Sequence, residues 1–397
     1  MNRNNQTSRS VALGELAAAV PGATLHGAAD TAIVDITYDS RTVGEGMLFA
    51  ALVGGDFDGH DYVDRAVASG AAAVLVEQPM PVEVAQIVVP DSSRGALAKV
   101  SRAFFGDPSR EVTVIGITGT DGKTTTAAML EGILAGTGRQ VGGIGTVGIR
   151  IGDGTTHDLG HQTTPESVTV QRVLREMVDA GTELAVLEAT SHGLSTHRLD
   201  GVRFDAAGVT NITREHLEFH KTIENYRRAK ATLLERVAAE RGVVVLNIDD
   251  DGARSVAPFA EGAQVLTYSA TGGDADVRAE RIDHAGTGVS FDVVVGHIVR
   301  QVDLPMPGAF NVANALCAIA LAKSVGVPLD AAARALSDAR PVSGRMQPID
   351  AGQPFRVIVD YAHTPESIRT ILALLRRQYP HGRLIVVTGS AGERDTT

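Results

Sequence analysis

Short β-branched runs alternate with helix-period stretches along most of this chain. Within residues 11–90, runs at 32–37, 47–52, 72–77 and 86–89 predict strands, and the spacing over 62–69 predicts a helix. Those elements make a small α/β domain. A helix over 94–105 leads into Gly106-Asp107-Pro108-Ser109, whose turn residues mark a linker. The rhythm then lengthens. Strands are predicted at 112–117, 184–188, 206–210, 242–247 and 264–268, with helices between them, the pattern of a doubly wound parallel sheet. Residues 276–304 alternate as short strands without helices, and helices over 311–325 and 329–339 close the domain. Pro341-Val342-Ser343-Gly344 marks a second boundary. Beyond it come a strand over 355–360, a helix over 365–378 and a strand over 384–388. The chain stops at Thr397 after barely two βα units, and so reads as a protein cut short within its third domain. The expected domains are 1–110, 111–341 and 342–397.

Composition narrows the function classes. A chain of 397 residues has room for two or three domains with their own cores. A net charge of −11 with no basic tract argues against a nucleic-acid partner. The single cysteine, Cys317, excludes a disulfide framework and fits a reducing compartment. No apolar run approaches the roughly 18 residues that a membrane span needs, and the N-terminus MNRNNQTSRS lacks a signal-peptide core. We expect a cytoplasmic protein without membrane partners.

The chemistry starts in VTVIGITGTDGKTTTAAM, residues 112–129. A buried parallel strand breaks at Gly119-Thr120-Asp121-Gly122, and Lys123-Thr124-Thr125 open a helix. Strand, glycine turn and Lys-Thr helix start form a phosphate cradle. Its backbone wraps the anion, helix N–H groups face it, lysine neutralises it, and a threonine hydroxyl is available to Mg²⁺. The P-loop pattern asks for glycine five residues before Gly122; Ile117 stands there, flanked by Gly116 and Gly119. Next, the run LAVLEATSHG places Glu188 at a strand end, where open α/β sheets bind ligands and a carboxylate suits Mg²⁺. The following strand runs into Thr213-Arg214-Glu215-His216-Leu217-Glu218-Phe219-His220, so His216 or His220 could reach the same ion; a solvated loop histidine is the alternative for each. Lys230 falls in the apolar stripe Ile223, Tyr226, Leu233, Val237. An inward lysine must find anions, lose its proton or be modified, unless its stem alone is buried. Asp39-Ser40-Arg41 and Thr163-Thr164-Pro165-Glu166 would pass for ordinary loop chemistry.

Taken in order, GTDGKTT, HQTTPES, LEATSHGLSTHRLDGVRFD, VTNITREHLEFHKTIENYRRAK, MPGAFNVANALCA, SGRMQ and VDYAHTP resemble the Mur ligase family from about residue 38 to the end. The resemblance implies an N-terminal UDP-sugar-binding domain, a central ATPase domain and a Rossmann-like C-terminal domain for the amino acid, here incomplete. It implies ATP-dependent addition of a diamino acid, as third residue, to UDP-MurNAc-L-Ala-D-Glu, by a monomer using ATP and Mg²⁺ in peptidoglycan synthesis. Gly119, Thr120, Asp121, Gly122, Lys123, Thr124, Thr125, Asn311, Asn314, Arg345 and Asp360 would serve ATP. Thr124, Glu188, His216 and Lys230 would serve the metal, Lys230 as an N-carboxylysine. Lys123, Glu188, His216 and Lys230 would be the catalytic set. Tyr38, Ser40, Thr163, Thr164, Thr190, Thr196 and Arg198 would touch the UDP-linked substrate. Three departures stand out: Asp121 where Asn is frequent, Thr190-Ser191 where Ser-Ser is frequent, and Glu215 and Glu218 in place of aspartates. The segment expected to recognise the added amino acid would lie beyond Thr397, so this chain is expected to bind nucleotide and to ligate poorly. The choice between L-lysine and meso-diaminopimelate stays open. The rivals are a folylpolyglutamate or cyanophycin synthetase of the same fold, and a nucleotide-binding fragment without ligase activity.

Overall fold

The computed structural model describes residues 9–54, 57–158, 162–284 and 288–389. They fall into two compact units. The first holds residues up to Val112 together with Thr164–Asp179 and His192–Val202; the second holds Thr113–Thr163, Ala180–Ser191 and the chain from Arg203 onward.

In the first unit, β1 (Thr24–His26), β2 (Asp35–Thr37), β3 (Met47–Ala50), β4 (Ala73–Val76) and β5 (Ala85–Val88) form a sheet in the order β1-β5-β4-β3-β2. Strands β2 to β5 run parallel and β1 is antiparallel. Every residue of β4 is buried, as expected of a strand covered on both faces. Helix α1 (Ser93–Phe105) starts where the Ser92 hydroxyl accepts from the Gly95 N–H, and ends at Gly106 in the left-handed region. Its Leu97, Val100 and Phe104 share a core with Val168 of the helix Ser167–Asp179.

The second unit is built on one sheet of eleven strands. These are β6 (Thr113–Thr118), β7 (Val141–Gly145), β8 (Gly148–Arg150), β9 (Thr156–His157), β10 (Leu184–Glu188), β11 (Ala206–Val209), β12 (Val243–Asn247), β13 (Gln264–Ser269), β14 (Val277–Asp283), β15 (Val289–Val295) and β16 (Ile298–Leu304). Their order is β9-β8-β7-β10-β6-β11-β12-β13-β14-β15-β16, parallel from β7 to β14 and antiparallel at both ends. Residues 276–304 thus extend the parallel sheet, with β15 and β16 as its antiparallel edge. Helix α2 (Lys123–Ala135) packs on one face, its Met129, Leu130 and Ile133 in one core with Ile115 and Ile117 of β6. Helix α3 (Ile223–Ala239) contributes buried Tyr226, Leu233 and Val237. Helix α4 (Ala309–Ser324) is buried almost all round, which explains its nearly unbroken apolar sequence. Strand β6 lies between β10 and β11, so its carboxyl end opens at the point where the strand order reverses.

Beyond Pro341, β17 (Gln347–Ile349) pairs antiparallel with β18 (Val357–Val359), a shorter strand than expected over 355–360. Helix α5 (Pro365–Gln378) has the expected bounds, fixed by a capping box between Thr364 and Ser367 and by Pro365 at its first turn. The strand expected over 384–388 is absent. No strand among the described residues runs beside it to take up its N–H and C=O groups, and Ile385 and Val387 are exposed. Residues 390–397 lie outside the described residues. No helix among the described residues is long and apolar enough to cross a membrane.

Candidate functional site

The turn from β6 into α2 is shaped by two glycines that tolerate no side chain. A Cβ on Gly119 would lie 1.8 Å from Thr210 Oγ1, and one on Gly122 would lie 2.3 Å from Asn314 Oδ1. Gly122 also has φ +84, which glycine adopts at little cost. Lys123 is folded onto the turn, its Nζ donating to the carbonyls of Gly119 (2.9 Å) and Thr120 (2.7 Å). The Thr124 hydroxyl donates to Glu188 Oε2 at 2.8 Å, and the Thr146 N–H donates to Glu188 Oε1 at 2.8 Å. Arg345 Nη2 donates to Thr124 Oγ1 at 3.1 Å. Hydroxyl, carboxylate and guanidinium therefore meet at the first turn of α2.

These groups line a cavity of about 440 Å³. Of the expected residues, Thr120, Asp121, Gly122, Lys123, Thr124, Thr125, Thr163, Glu188, Thr190, His216, Lys230, Asn311, Asn314, Arg345 and Asp360 all face it. Gly119 sits beneath, its carbonyl held by both lysines. At the far end are Phe310, Met306 and Tyr268, apolar surface beside amides. Those amides are already ordered: Asn311 Nδ2 donates to Pro307 O (2.8 Å) and Asn314 Nδ2 to Asn311 Oδ1 (3.2 Å). Asp360 accepts from the N–H groups of Met346 and Ala362, both at 2.7 Å, which fixes the turn that carries Arg345. The two histidines are placed differently. His216 faces the cavity from a left-handed position with φ +54, whereas His220 is buried edge-on against Tyr226 and is not among the lining residues.

Lys230 is 1% exposed, its Nζ donating to Gly119 O at 2.6 Å and lying 4.5 Å from the Tyr226 ring centre. Burial, with Lys123 nearby, holds its pKa well below the ordinary lysine value. Opposite stands Glu215, which accepts from the Tyr226 hydroxyl (3.1 Å) and pairs with His363 (3.3 Å). Burial works to raise the Glu215 pKa, but His363, Lys123, His216 and Lys230 together bring it down to about 2. The Glu215 contact raises His363 in return. Burial raises Asp121. Neither Glu215 nor His363 was singled out from sequence for this cavity. The only hint was their place beside residues that were.

The residues expected at a UDP-linked substrate divide between the units. Thr163 and Thr190 face the cavity of the second unit. Tyr38, Ser40, Thr164, Thr196 and Arg198 belong to the first. There, buried Glu166 pairs with Arg94 (2.7 Å) and Arg198 (3.1 Å), and Arg198 Nη1 donates to Thr164 O at 2.9 Å. Burial and Glu166 both raise the Tyr38 pKa. The Thr196 hydroxyl bonds back to His192 O, and Ser40 sits in a turn clasped by the Asp39–Arg41 ion pair. His161 of HQTTPES lies outside the described residues.

Among the described residues no group of three or more His, Cys, Asp or Glu side chains stands ready for a metal. The donor set here is of another kind, with the Thr124 hydroxyl bonded to the Glu188 carboxylate within a phosphate-type turn. That suits Mg²⁺, which takes one or two protein oxygens and completes its shell with water and substrate phosphates.

Comparison with known proteins points one way. Residues 32–110 match the profile "Mur ligase family, catalytic domain", 117–322 "Mur ligase middle domain" and 344–397 "Mur ligase, glutamate ligase domain". The chain is 43% identical over 380 residues to UDP-N-acetylmuramyl-tripeptide synthetase of Roseiflexus sp., covering 91% of this chain and 74% of that protein. It is 40% identical over 373 residues to UDP-N-acetylmuramoyl-L-alanyl-D-glutamate–2,6-diaminopimelate ligase of Bacillus velezensis, covering 93% and 75%. A solved structure of a ligase of the latter name superposes with a TM-score of 0.77 at 28% identity, covering 93% of this chain and 74% of that one.

Proposed function

The chain belongs to the Mur ligase family, and on that premise we propose that it joins a diamino acid to the D-glutamyl carboxylate of UDP-MurNAc-L-Ala-D-Glu at the expense of ATP. Relatives named for 2,6-diaminopimelate favour that amino acid over lysine. The observation carrying the reading is the Lys123–Thr124–Glu188 arrangement on the Gly119–Gly122 turn. The substrate carboxylate forms a bond to the γ-phosphorus of ATP while the bond to ADP breaks, giving an acyl phosphate. The amine then bonds to the acyl carbon, phosphate leaves, and the nitrogen gives up a proton. The protein's part is positioning and charge neutralisation. Lys123 would leave the loop carbonyls for the phosphates, Arg345 would flank them beside Thr124, and Phe310 with Asn311 would hold the base. Thr124 and Glu188 would hold one Mg²⁺, with His216 and N-carboxylated Lys230 serving a second. Bound there, Mg²⁺ would shield phosphate charge.

Burial supports the Lys230 modification. The neutral amine attacks CO₂, a carbon–nitrogen bond forms and a proton leaves; a depressed pKa raises the share of that neutral form. Within the first unit, Arg198 would meet the UDP-linked substrate from a position held by Glu166. We further read three domains, 1–110, 111–341 and 342–397, in line with the three matched ranges, and a cytoplasmic monomer.

Trapping with hydroxylamine tests the reading. With ATP and Mg²⁺, UDP-MurNAc-L-Ala-D-Glu should stimulate ADP release and yield a hydroxamate on the dipeptide. Stimulation by a folyl glutamate instead, with none by the UDP-linked dipeptide, would overturn it.

A further inference from the structure

One side chain binds both backbone polar groups of a single residue in the phosphate turn. Asn211 follows β11, and its amide binds both polar groups of one loop residue. The Asp121 N–H donates to Asn211 Oδ1 at 3.0 Å, and Asn211 Nδ2 donates to Asp121 O at 3.2 Å. Asn211's own carbonyl accepts the Thr120 N–H at 2.7 Å. Neighbouring bonds reinforce the clamp. Thr210 Oγ1 donates to Asp121 O at 2.6 Å, and the Thr213 N–H donates to Thr120 Oγ1 at 3.0 Å.

We infer that Asn211 is a positioning residue of the nucleotide site, which holds the Thr120-Asp121 peptides in the one shape that presents α2 to a phosphate. A side-chain amide carries one donor and one acceptor at the spacing of a peptide. Bonding both groups of Asp121 closes a ring that fixes the orientation of the peptides on either side of that residue. It also commits the Thr120 and Asp121 N–H groups to Asn211, and so leaves an anion to the helix start at Gly122, Lys123 and Thr124. The base end is carried by a different element, Phe310 and Asn311 on α4. Loss of Asn211 therefore weakens phosphate binding and spares base binding. The same residue opens the run to His216, whose base is pinned by the Ile212 N–H to Asp250 Oδ1 at 2.9 Å, so loop and histidine share one support.

This inference rests on the nucleotide reading of the cavity, and calorimetry on the whole chain separates the two. ADP and adenosine are titrated into the wild type, Asn211→Ala and Asn211→Asp. The aspartate keeps the volume and the acceptor but loses the donor to Asp121 O, so it remains informative should the alanine variant fold poorly. We expect ADP to bind at least about tenfold more weakly to both variants, about 1.4 kcal/mol, with adenosine unchanged. Unchanged ADP affinity, or an equal loss for adenosine, overturns the role of Asn211. A wild type that binds no ADP overturns the nucleotide reading itself, and the inference with it.

Discussion

Two lysines reach the same atom from different surroundings. Lys123 Nζ, at the open start of α2, donates to Gly119 O at 2.9 Å; Lys230 Nζ, in the buried middle of α3, donates to it at 2.6 Å. Lys123 is half-buried beside the cavity and has a second carbonyl, Thr120 O, to hold. Lys230 has Tyr226 and Leu233 as stripe neighbours and is depressed by burial. One residue type thus supplies two chemistries. A lysine at the open start of a helix can swing from loop carbonyls to phosphate oxygens. Burial pushes the other toward the neutral amine, the form that acts as a nucleophile. Convergence of both on one carbonyl means that the state of either is felt by the other, and Lys123 contributes to the Lys230 depression.

The sharpest way to break this comparison is to remove the cation. Lys123→Ala should abolish ATP turnover, by a factor of about 10³ or more, and should leave the melting temperature nearly unchanged, because it removes no core contact. Turnover within tenfold of wild type would mean that Lys123 does not face the phosphates. The buried partner should respond oppositely in kind. Lys230→Met keeps volume and replaces a desolvated amine by an apolar chain, so stability should be equal or higher while ligation is lost. Lys230→Ala should regain part of its activity with short-chain carboxylic acids, which replace the missing carboxylate. Activity retained in Lys230→Met would show that burial, not chemistry, is the purpose of that side chain.

What the sequence disclosed follows the same division. Lys123 was legible because local order, strand then glycines then helix, fixes its surroundings within ten residues. Lys230 was legible as a misfit, a charge in the gap of an apolar stripe. Asn211, Glu215 and His363 were not legible as parts of the nucleotide cavity. Their partners lie 90, 11 and 148 residues away in the chain: Asp121, Tyr226 and, for His363, Glu215 itself. The strand over 384–388 failed for a related reason. Its apolar residues satisfy a local pattern, but a strand also needs a neighbour, and none among the described residues supplies one. The β7–β9 hairpin region was missed because Gly142, Gly143 and Gly145 hide its period; a Cβ on Gly143 would crowd Glu131 and Arg150.

A middle-sized effect probes the carbonyl that the lysines share. Gly119→Ala places a methyl 1.8 Å from Thr210 Oγ1, so the turn must move. Thr210 also holds Asp121 O, so the shift passes into the phosphate turn. We expect a loss of about 2–4 kcal/mol in stability, read by urea unfolding, and ADP binding too weak to measure. A variant with wild-type ADP affinity would show that the turn is soft, and that the lysines rather than the glycine set its shape.

The smallest effect concerns another basic group of the cavity, His363, which reaches Glu215 from beyond the Pro341 boundary. Both ring nitrogens of His363 meet acceptors, Nε2 the Glu215 carboxylate at 3.3 Å and Nδ1 the Tyr361 carbonyl at 3.0 Å, so the imidazolium satisfies both. Its pKa is raised above 6.5, mainly by Glu215, so its contribution is complete below pH 6.5 and lost as pH rises through the raised value. Glu215 moves the other way, from 4.5 down to about 2; its contribution is complete above pH 4.5 and lost as pH falls toward 2. The pair is therefore whole between those limits. The His363 side chain is 44% exposed and screened accordingly, so the gain is under about 1 kcal/mol. His363→Gln should melt slightly below wild type near pH 5.5 and level with it near pH 9, a difference set by linkage alone. A gap that stays constant across that range would assign the loss to packing against Tyr361 rather than to the Glu215 pair.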